Sequence, residues 1–466
     1  MKFIIQKPTF ISKEYNILDF GAKTDLTYNI QRPIQKAIDM CSENGGGKVI
    51  IPNGYFLTGP IELKSNVNLY VSENAFVKFT KSKEEYPLQW TEFEGERRIR
   101  AKSPISAKNC VNIAITGNGI LDGSGDLWRE VKQSKLTQAQ WNHLLEISPY
   151  VVQVKSGGKW CPSKTYYEGL KHGEPDYNDP SALEQAAQYW DYFRPVFVSF
   201  ISCDKVLIDG VTLQNSPAWN IHPLYCNNFT LTNAHIKNPF YAQNGDGIDL
   251  ESCTNCEIAF SFFEVGDDGI CIKSGKNRKA REIQAPTENV WIHHCKVFNA
   301  HGGFVVGSEM SRGVRNVLIE DCSFSGSDVG LRFKSALGRG GIVENIHVKN
   351  IMMSDIKAEA ILLTMAYVFQ NPANPNETKN VTFLEDDIPE FRNITIENIY
   401  CDAARDSIKI IGLKEKPIHD ISISNTQIIS KNKVEMQYYN NILFHNVYVR
   451  TPNEEAFWDD ENLSGE

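Results

Sequence analysis

From residue 204 onward the chain alternates apolar and polar positions with a period of two. It does so in pairs of short, β-branched-rich runs that flank an Asn, Asp or Gly: "DKVLIDGVTLQNS" (204 to 216), "NNFTLTNAHIKNP" (227 to 239), "TNCEIAFSFFEVG" (254 to 266), "ENVWIHHCKVFNA" (288 to 300) and "RNVLIEDCSFSGS" (315 to 327), with further copies to residue 431. A period of two around a turn residue predicts two short strands per copy. With Val206, Phe229, Cys256, Val290, Val317 and Ile346 as register residues, the copies recur every 23 to 34 residues, and earlier ones sit at 65 to 71 and 111 to 123. Units this short, built of strands and turns without a helix, predict an all-β fold: a right-handed, single-stranded parallel β-helix with one coil per copy and like positions stacked into parallel sheets. Asn-rich turns and Cys203, Cys226 and Cys253, about a coil apart, fit side-chain ladders in such a stack. The run "QRPIQKAIDMCSE" (31 to 43) has a helical pattern and predicts a short N-terminal helix over the otherwise exposed edge of the first coil.

Inside these coils a second element recurs: "GIDLES" (247 to 252), "GICIKS" (269 to 274), "GFVVGS" (303 to 308) and "GLRFKS" (330 to 335). Parallel neighbours lie about 4.8 Å apart, so equivalent positions form rows. The residues just before each copy give the row Asp246, Asp268, Gly302, Val329, and one position further back the row is Gly245, Asp267, His301, Asp328. Within the strands the rows are Asp249, Cys271, Val305, Arg332 and Glu251, Lys273, Gly307, Lys334. Asp246 is thus expected beside Asp268, with Asp267 adjacent and His301, Arg332 and Lys334 on the following coils. Three carboxylates this close cannot all ionise freely, so at least one pKa is expected to rise, the condition for a carboxylic acid that donates a proton near neutral pH.

A length of 466 residues by itself suggests two or three domains. A coil repeat grows by stacking, so one domain is expected over 1–466, with excursions at about 124–193 and 369–391. The larger, rich in aromatic and charged residues, is expected to shape one end of a groove along the stack. With 48 basic and 57 acidic residues the net charge is −9, which argues against nucleic-acid and membrane-surface partners. The start, "MKFIIQKPTFISKEYN", lacks the apolar core of a secretory signal, so a cytoplasmic location is expected, or a secreted or periplasmic one if a leader was removed. Eleven cysteines, with Cys253 and Cys256 the only close pair, read as reduced buried thiols and not as a zinc site.

An acid plus carboxylates that hold a water is the minimum for glycoside hydrolysis, and adjacent cations suit a substrate bearing its own carboxylate. The basic neighbours oppose a Ca²⁺ site, so no metal or other cofactor is expected. His293, His294 and Asp249 read as structural strand residues.

The ordered motifs "NGDGIDLES" (244 to 252), "GDDGICIKSG" (266 to 275), "HGGFVVGSEMSRGVRN" (301 to 316) and "RFK" (332 to 334) resemble glycoside hydrolase family 28, the polygalacturonases and their relatives, as do "NILDFGAKTD" (16 to 25) and "RPVFVSFISCDKVLIDGVTLQNSPAWNIHP" (194 to 223). The resemblance implies a pectin-lyase-like β-helix that hydrolyses α-linked galacturonides of pectin with inversion. It casts Asp267 as general acid, and Asp246 and Asp268 as the pair that activates water. Asn244, His301, Arg332, Lys334 and Tyr367 fall among the substrate-binding positions. Two departures, Asn-Gly-Asp in the first motif and Ala-His-Gly-Gly in the third, are closer to bacterial, often exo-acting members. Three other readings stand beside exo-galacturonidase: a family member acting on rhamnogalacturonan or another branched pectin, a β-eliminating lyase, and a β-helix that binds polysaccharide without cutting it.

Overall fold

The computed structural model describes residues 3–155, 157–367 and 383–466. Its core is a 32-stranded sheet, parallel except at its C-terminal end, the expected β-helix. The register is the one read from the sequence: Val206 lies opposite Phe229, Phe229 opposite Cys256, and the row continues through Val290, Val317 and Ile346. Ile394, Ile421 and Ile442 extend it, and Ile113 precedes it. Every member of this row is buried inside the coils. Alternation is therefore the cause of the fold, since each strand sends every second side chain inward onto its equivalents above and below.

The turns repeat as faithfully. Asn228, Asn255, Asn289, Asn316 and Asn345 all hold positive φ, between 54° and 58°, a region that Asn tolerates better than other residues with a Cβ. Their amides reach to the preceding coil: Asn289 donates to Asn255 at 3.1 Å and Asn316 to Asn289 at 3.2 Å. The cysteines stack inside, with the Cys226 amide donating to Cys253 Sγ at 3.3 Å, and all eleven are buried and unpaired. Helix α1 (Gln31–Glu43) occupies the expected residues and buries Ile34, Ala37, Ile38 and Cys41 against the first coils.

Three features escape the coil pattern. A hairpin of β1 (Leu88–Phe93) and β2 (Glu96–Ala101) leaves the stack between the second and third coils and turns at Glu94 and Gly95. The excursion after residue 123 folds into α2 (Gln138–Ile147), a three-stranded antiparallel sheet and α3 (Lys164–His172). It packs on the hairpin: Trp128 and Trp190 meet Tyr86 and Ala101, Ala182 and Phe193 meet Ile99, and Glu174 pairs with Arg98 at 2.6 Å. Strand Tyr439–Arg450 is paired antiparallel with Glu455–Trp458 and Glu461–Gly465, which shields a sheet edge. Residues 369–382 of the smaller excursion lie outside the described residues.

Candidate active site

Five neighbouring strands of the groove sheet carry the site: β3 (Ile221–Leu224), β4 (Ile248–Glu251), β5 (Ile270–Lys273), β6 (Gly302–Val306) and β7 (Val329–Lys334). Their register is the expected one, with Asp249 opposite Cys271, Cys271 opposite Val305 and Val305 opposite Arg332. The turn ahead of β4 delivers Asp246, and the turn ahead of β5 delivers Asp267 and Asp268. Carboxylate oxygens of the three lie within 4.8 Å of one another. Gly302 occupies the next place in the Asp246–Asp268 row, where a Cβ would stand 3.5 Å from both Asp268 Oδ1 and the Arg332 side chain. The same Cβ would come within 2.3 Å of Val305 Cγ2, which is why glycine fits there.

The cations of β7 close on Asp268. Lys334 Nζ donates to Asp268 Oδ2 at 2.8 Å and Arg332 donates to Oδ1 at 3.4 Å. Burial works to raise the Asp268 pKa, but Lys334 and Arg332 outweigh it and hold the carboxyl below its ordinary value. Asp267 is set by three contacts: the Asn244 amide donates to Oδ2 at 3.2 Å, the Asp268 amide to Oδ1 at 3.0 Å, and His301 Nδ1 lies 3.1 Å from Oδ1. Burial again works upward, and the His301 hydrogen bond and charge overcome it, so Asp267 is held ionised in the free protein. His301 responds reciprocally: burial favours its neutral form, but Asp267 and Asp268 lift its pKa above 6.5.

Asp246 is the member that rises. It is buried and has no fixed cation bound to it, and burial followed by the charges of Asp249 and Asp267 pushes its carboxyl well above the usual range. Its Oδ1 and the Nε of Arg332 are buried without a hydrogen-bond partner. Tyr367 completes the site, its ring 5.6 Å from Lys334 Nζ and 5.9 Å from the Arg332 guanidinium.

Every candidate from the sequence is thus in one place, with one difference in kind. The Asn244 side chain is turned to Arg194, which donates to its Oδ1 at 2.9 Å, so Asn244 meets Asp267 through its backbone. The trio is tight enough to share a cation, but both Asp268 oxygens are already engaged by Lys334 and Arg332, and Ca²⁺ needs six to eight oxygens.

Lys273, Trp219 and Phe93 were overlooked in the sequence, and Asp249 was read there as structural alone. Lys273, buried on β5, pairs with Asp249 at 2.9 Å and sits 3.6 Å over the Trp219 ring. Burial disfavours its ammonium, yet Asp249 and Glu309 hold its pKa well above the ordinary lysine value. Burial pushes Asp249 up to about 6 despite Lys273, so Asp249 is part of the carboxylate cluster as well as of the strand. On its other face Trp219 stacks on Phe93 of β1 at 4.1 Å. Lys273 stood in a row already drawn, one coil from Glu251 and two from Lys334. The run "LQWTEFEGERRIRA" alternates around Glu-Gly, which is a hairpin signal.

The hairpin bounds the groove. Glu94 of its turn lies 3.4 Å from Lys276, Glu92 accepts from Arg312 at 3.2 Å, and a Cβ on Gly95 would come within 2.6 Å of Gly275 Cα. This docked hairpin, backed by 124–193, stands beside the groove, and Lys135 of that excursion is close enough for its charge to act on His301.

Residues 181–449 match glycosyl hydrolases family 28. The chain is 30% identical to the hyperthermoactive exopolygalacturonase of Thermotoga maritima, covering 99% of this chain and 96% of that one with a TM-score of 0.77. It is 28% identical over 459 residues to an exo-poly-alpha-D-galacturonosidase of Dickeya chrysanthemi (94% of this chain, 72% of that protein) and 26% identical over 423 residues to a probable polygalacturonase of Vitis vinifera (89% and 74%). With the motif residues assembled as the stacking argument requires, and the match spanning more than half its length, the chain belongs to glycosyl hydrolases family 28.

Proposed function

We propose that the protein hydrolyses α-linked galacturonide bonds of pectin, releasing galacturonate from a chain end with inversion. The observation that carries this reading is a carboxylate trio flanked by Arg332 and Lys334. Arg332 and Lys334 suit a uronate carboxylate, whose planar geometry a guanidinium matches. Asp268, held ionised, takes the proton of the attacking water, and Asp246, whose carboxyl burial and like charges push upward, orients that water. Asp267 gives a proton to the leaving oxygen. Its source is the His301 imidazolium, 3.1 Å away, and the incoming negative charge of the substrate favours that transfer.

In two-carboxylate inverting enzymes the groups stand roughly 6.5–9.5 Å apart, with the water on the opposite face of the sugar from the acid. Here the nearest oxygens lie within 4.8 Å. The reading therefore assigns the water to a pair of carboxylates. Stereochemistry is a direct check: the first product seen by proton NMR is expected to be the β-anomer.

Chain-end action is supported by the docked hairpin and by the likeness to the two exo-acting relatives. The decisive experiment incubates wild type and Asp267→Asn, without added metal, with a saturated galacturonate trimer and with polygalacturonate. Monomer release by wild type, reduced roughly 10²–10⁴-fold in the variant, supports the proposal. Intact substrates, or equal activity of the two proteins, refute it.

A further inference from the structure

On the side of the hairpin away from the carboxylates is a second cavity, of about 630 Å³, between β1–β2 and the first coils of the groove sheet. Ligand sites commonly enclose roughly 300–1,000 Å³. None of Asp246, Asp267, Asp268, Arg332 or Lys334 lines it. Its boundary on that side is Phe93, and the layers beyond are Trp219 at 4.1 Å, Lys273 at 3.6 Å from Trp219, and Asp249 at 2.9 Å from Lys273. Phe93 and Trp219 therefore stand between the cavity and the carboxylates, and His222 of β3 lines the cavity's edge.

The lining has a distinct chemistry. Arg97, Arg100, Lys102 and Lys108 face Glu62 and Glu92 across it. Glu62 pairs with Lys64 at 2.7 Å and with Lys102 of the lining at 3.8 Å, Glu92 with Tyr225 and Arg312, and Arg100 with Glu174 at 3.4 Å. Arg97 lies 3.8 Å over the Trp90 ring, and the Nε of Arg100 is buried without an acceptor. In a chain of net charge −9, four basic residues around one cavity mark a place for an anion. Flat aromatic faces and hydroxyls, among them Ser106 and Ser199, complete what a sugar ring presents: an apolar face and a rim of hydroxyls.

We propose that this cavity is a second, non-catalytic site for an acidic oligosaccharide, held by its carboxylates on Arg97, Arg100 and Lys102 while another chain end occupies the carboxylate trio. The choice of a galacturonide as the acid rests on the functional reading above. The test is calorimetric titration of the full chain carrying Asp267→Asn with trigalacturonate, alongside cleavage of the same trimer by wild type. Two moles bound per mole of protein are expected, falling to one when Arg97→Ala and Lys102→Ala are added, with the remaining site showing that the protein is folded. The uncharged trimer of galactose is expected to leave the second site empty. One mole bound by a protein whose wild type still cleaves the trimer overturns the second site and leaves the functional reading standing. Two moles that persist in the Arg97/Lys102 variant overturn the assignment to this cavity. Neither binding nor cleavage overturns both readings.

Discussion

At the residue scale the site works by giving chemically equal carboxylates unequal surroundings. Asp268 has two cations, Asp267 has His301, and Asp246 has burial and like charges. The sequence placed all three and predicted that one pKa rises, but it did not say which. That depends on distances to Lys334, His301 and Asp249, which strand register alone does not supply. The consequence is a pH profile with an assignable sign. His301 has its pKa raised above 6.5, so its proton is present through neutrality and is lost as pH rises through that raised value. Asp268 has its pKa lowered below 3.8, so its base form is lost only as pH falls into that range. For kcat on saturating trimer, an alkaline limb above pH 6.5 and an acid limb below pH 3.8 are expected. His301→Asn removes both the proton source and the group that depresses Asp267. Its kcat is expected to fall, with the alkaline limb moving to lower pH towards the value that burial sets for Asp267. A variant with an unshifted alkaline limb would show that His301 does not feed the acid.

At the scale of elements, coils and insertions differ in how far they can be read. A coil is local, since its alternation and turn residues declare it, and α1 likewise shows its apolar stripe within thirteen residues. The hairpin is declared locally too, but its purpose is not. Gly95 meets Gly275, Glu92 meets Arg312 and Phe93 meets Trp219, all contacts more than a hundred residues away in sequence. The excursion at 124–193, by contrast, is conspicuous in the sequence because it is a long break in the coil pattern. If Phe93 is the partition, then Phe93→Ala joins the catalytic groove to the cavity behind it. Polygalacturonate digested by this variant is expected to yield oligomers of two or more units beside monomer, with a faster viscosity fall per bond cut than in wild type. Monomer as the sole early product would place the stop elsewhere on the hairpin.

For the whole molecule, stacking decides how a local defect spreads. Each coil touches only its neighbours, so stability is approximately a sum of coil and interface terms, and the ends are the weak points. Helix α1 guards one of them, with Ile34 and Ile38 fully buried against the first coils. The carboxylates lie several coils away, past the strands Val111–Gly117 and Asp204–Asp209. Ile38→Ala removes buried methyl groups and leaves a void, a change that costs about 2–5 kcal/mol in a packed core. In a globular domain with one cooperative core that loss would appear everywhere. Here it is expected first in the amides of Gly47–Ile51 and Val67–Val71, whose hydrogen exchange should quicken. Amides of β4 to β7 are expected to keep their protection, and trimer cleavage its rate, until the temperature nears global melting. Uniform loss of protection along the stack would show instead that the coils unfold as one unit and that the cap stabilises the active site directly.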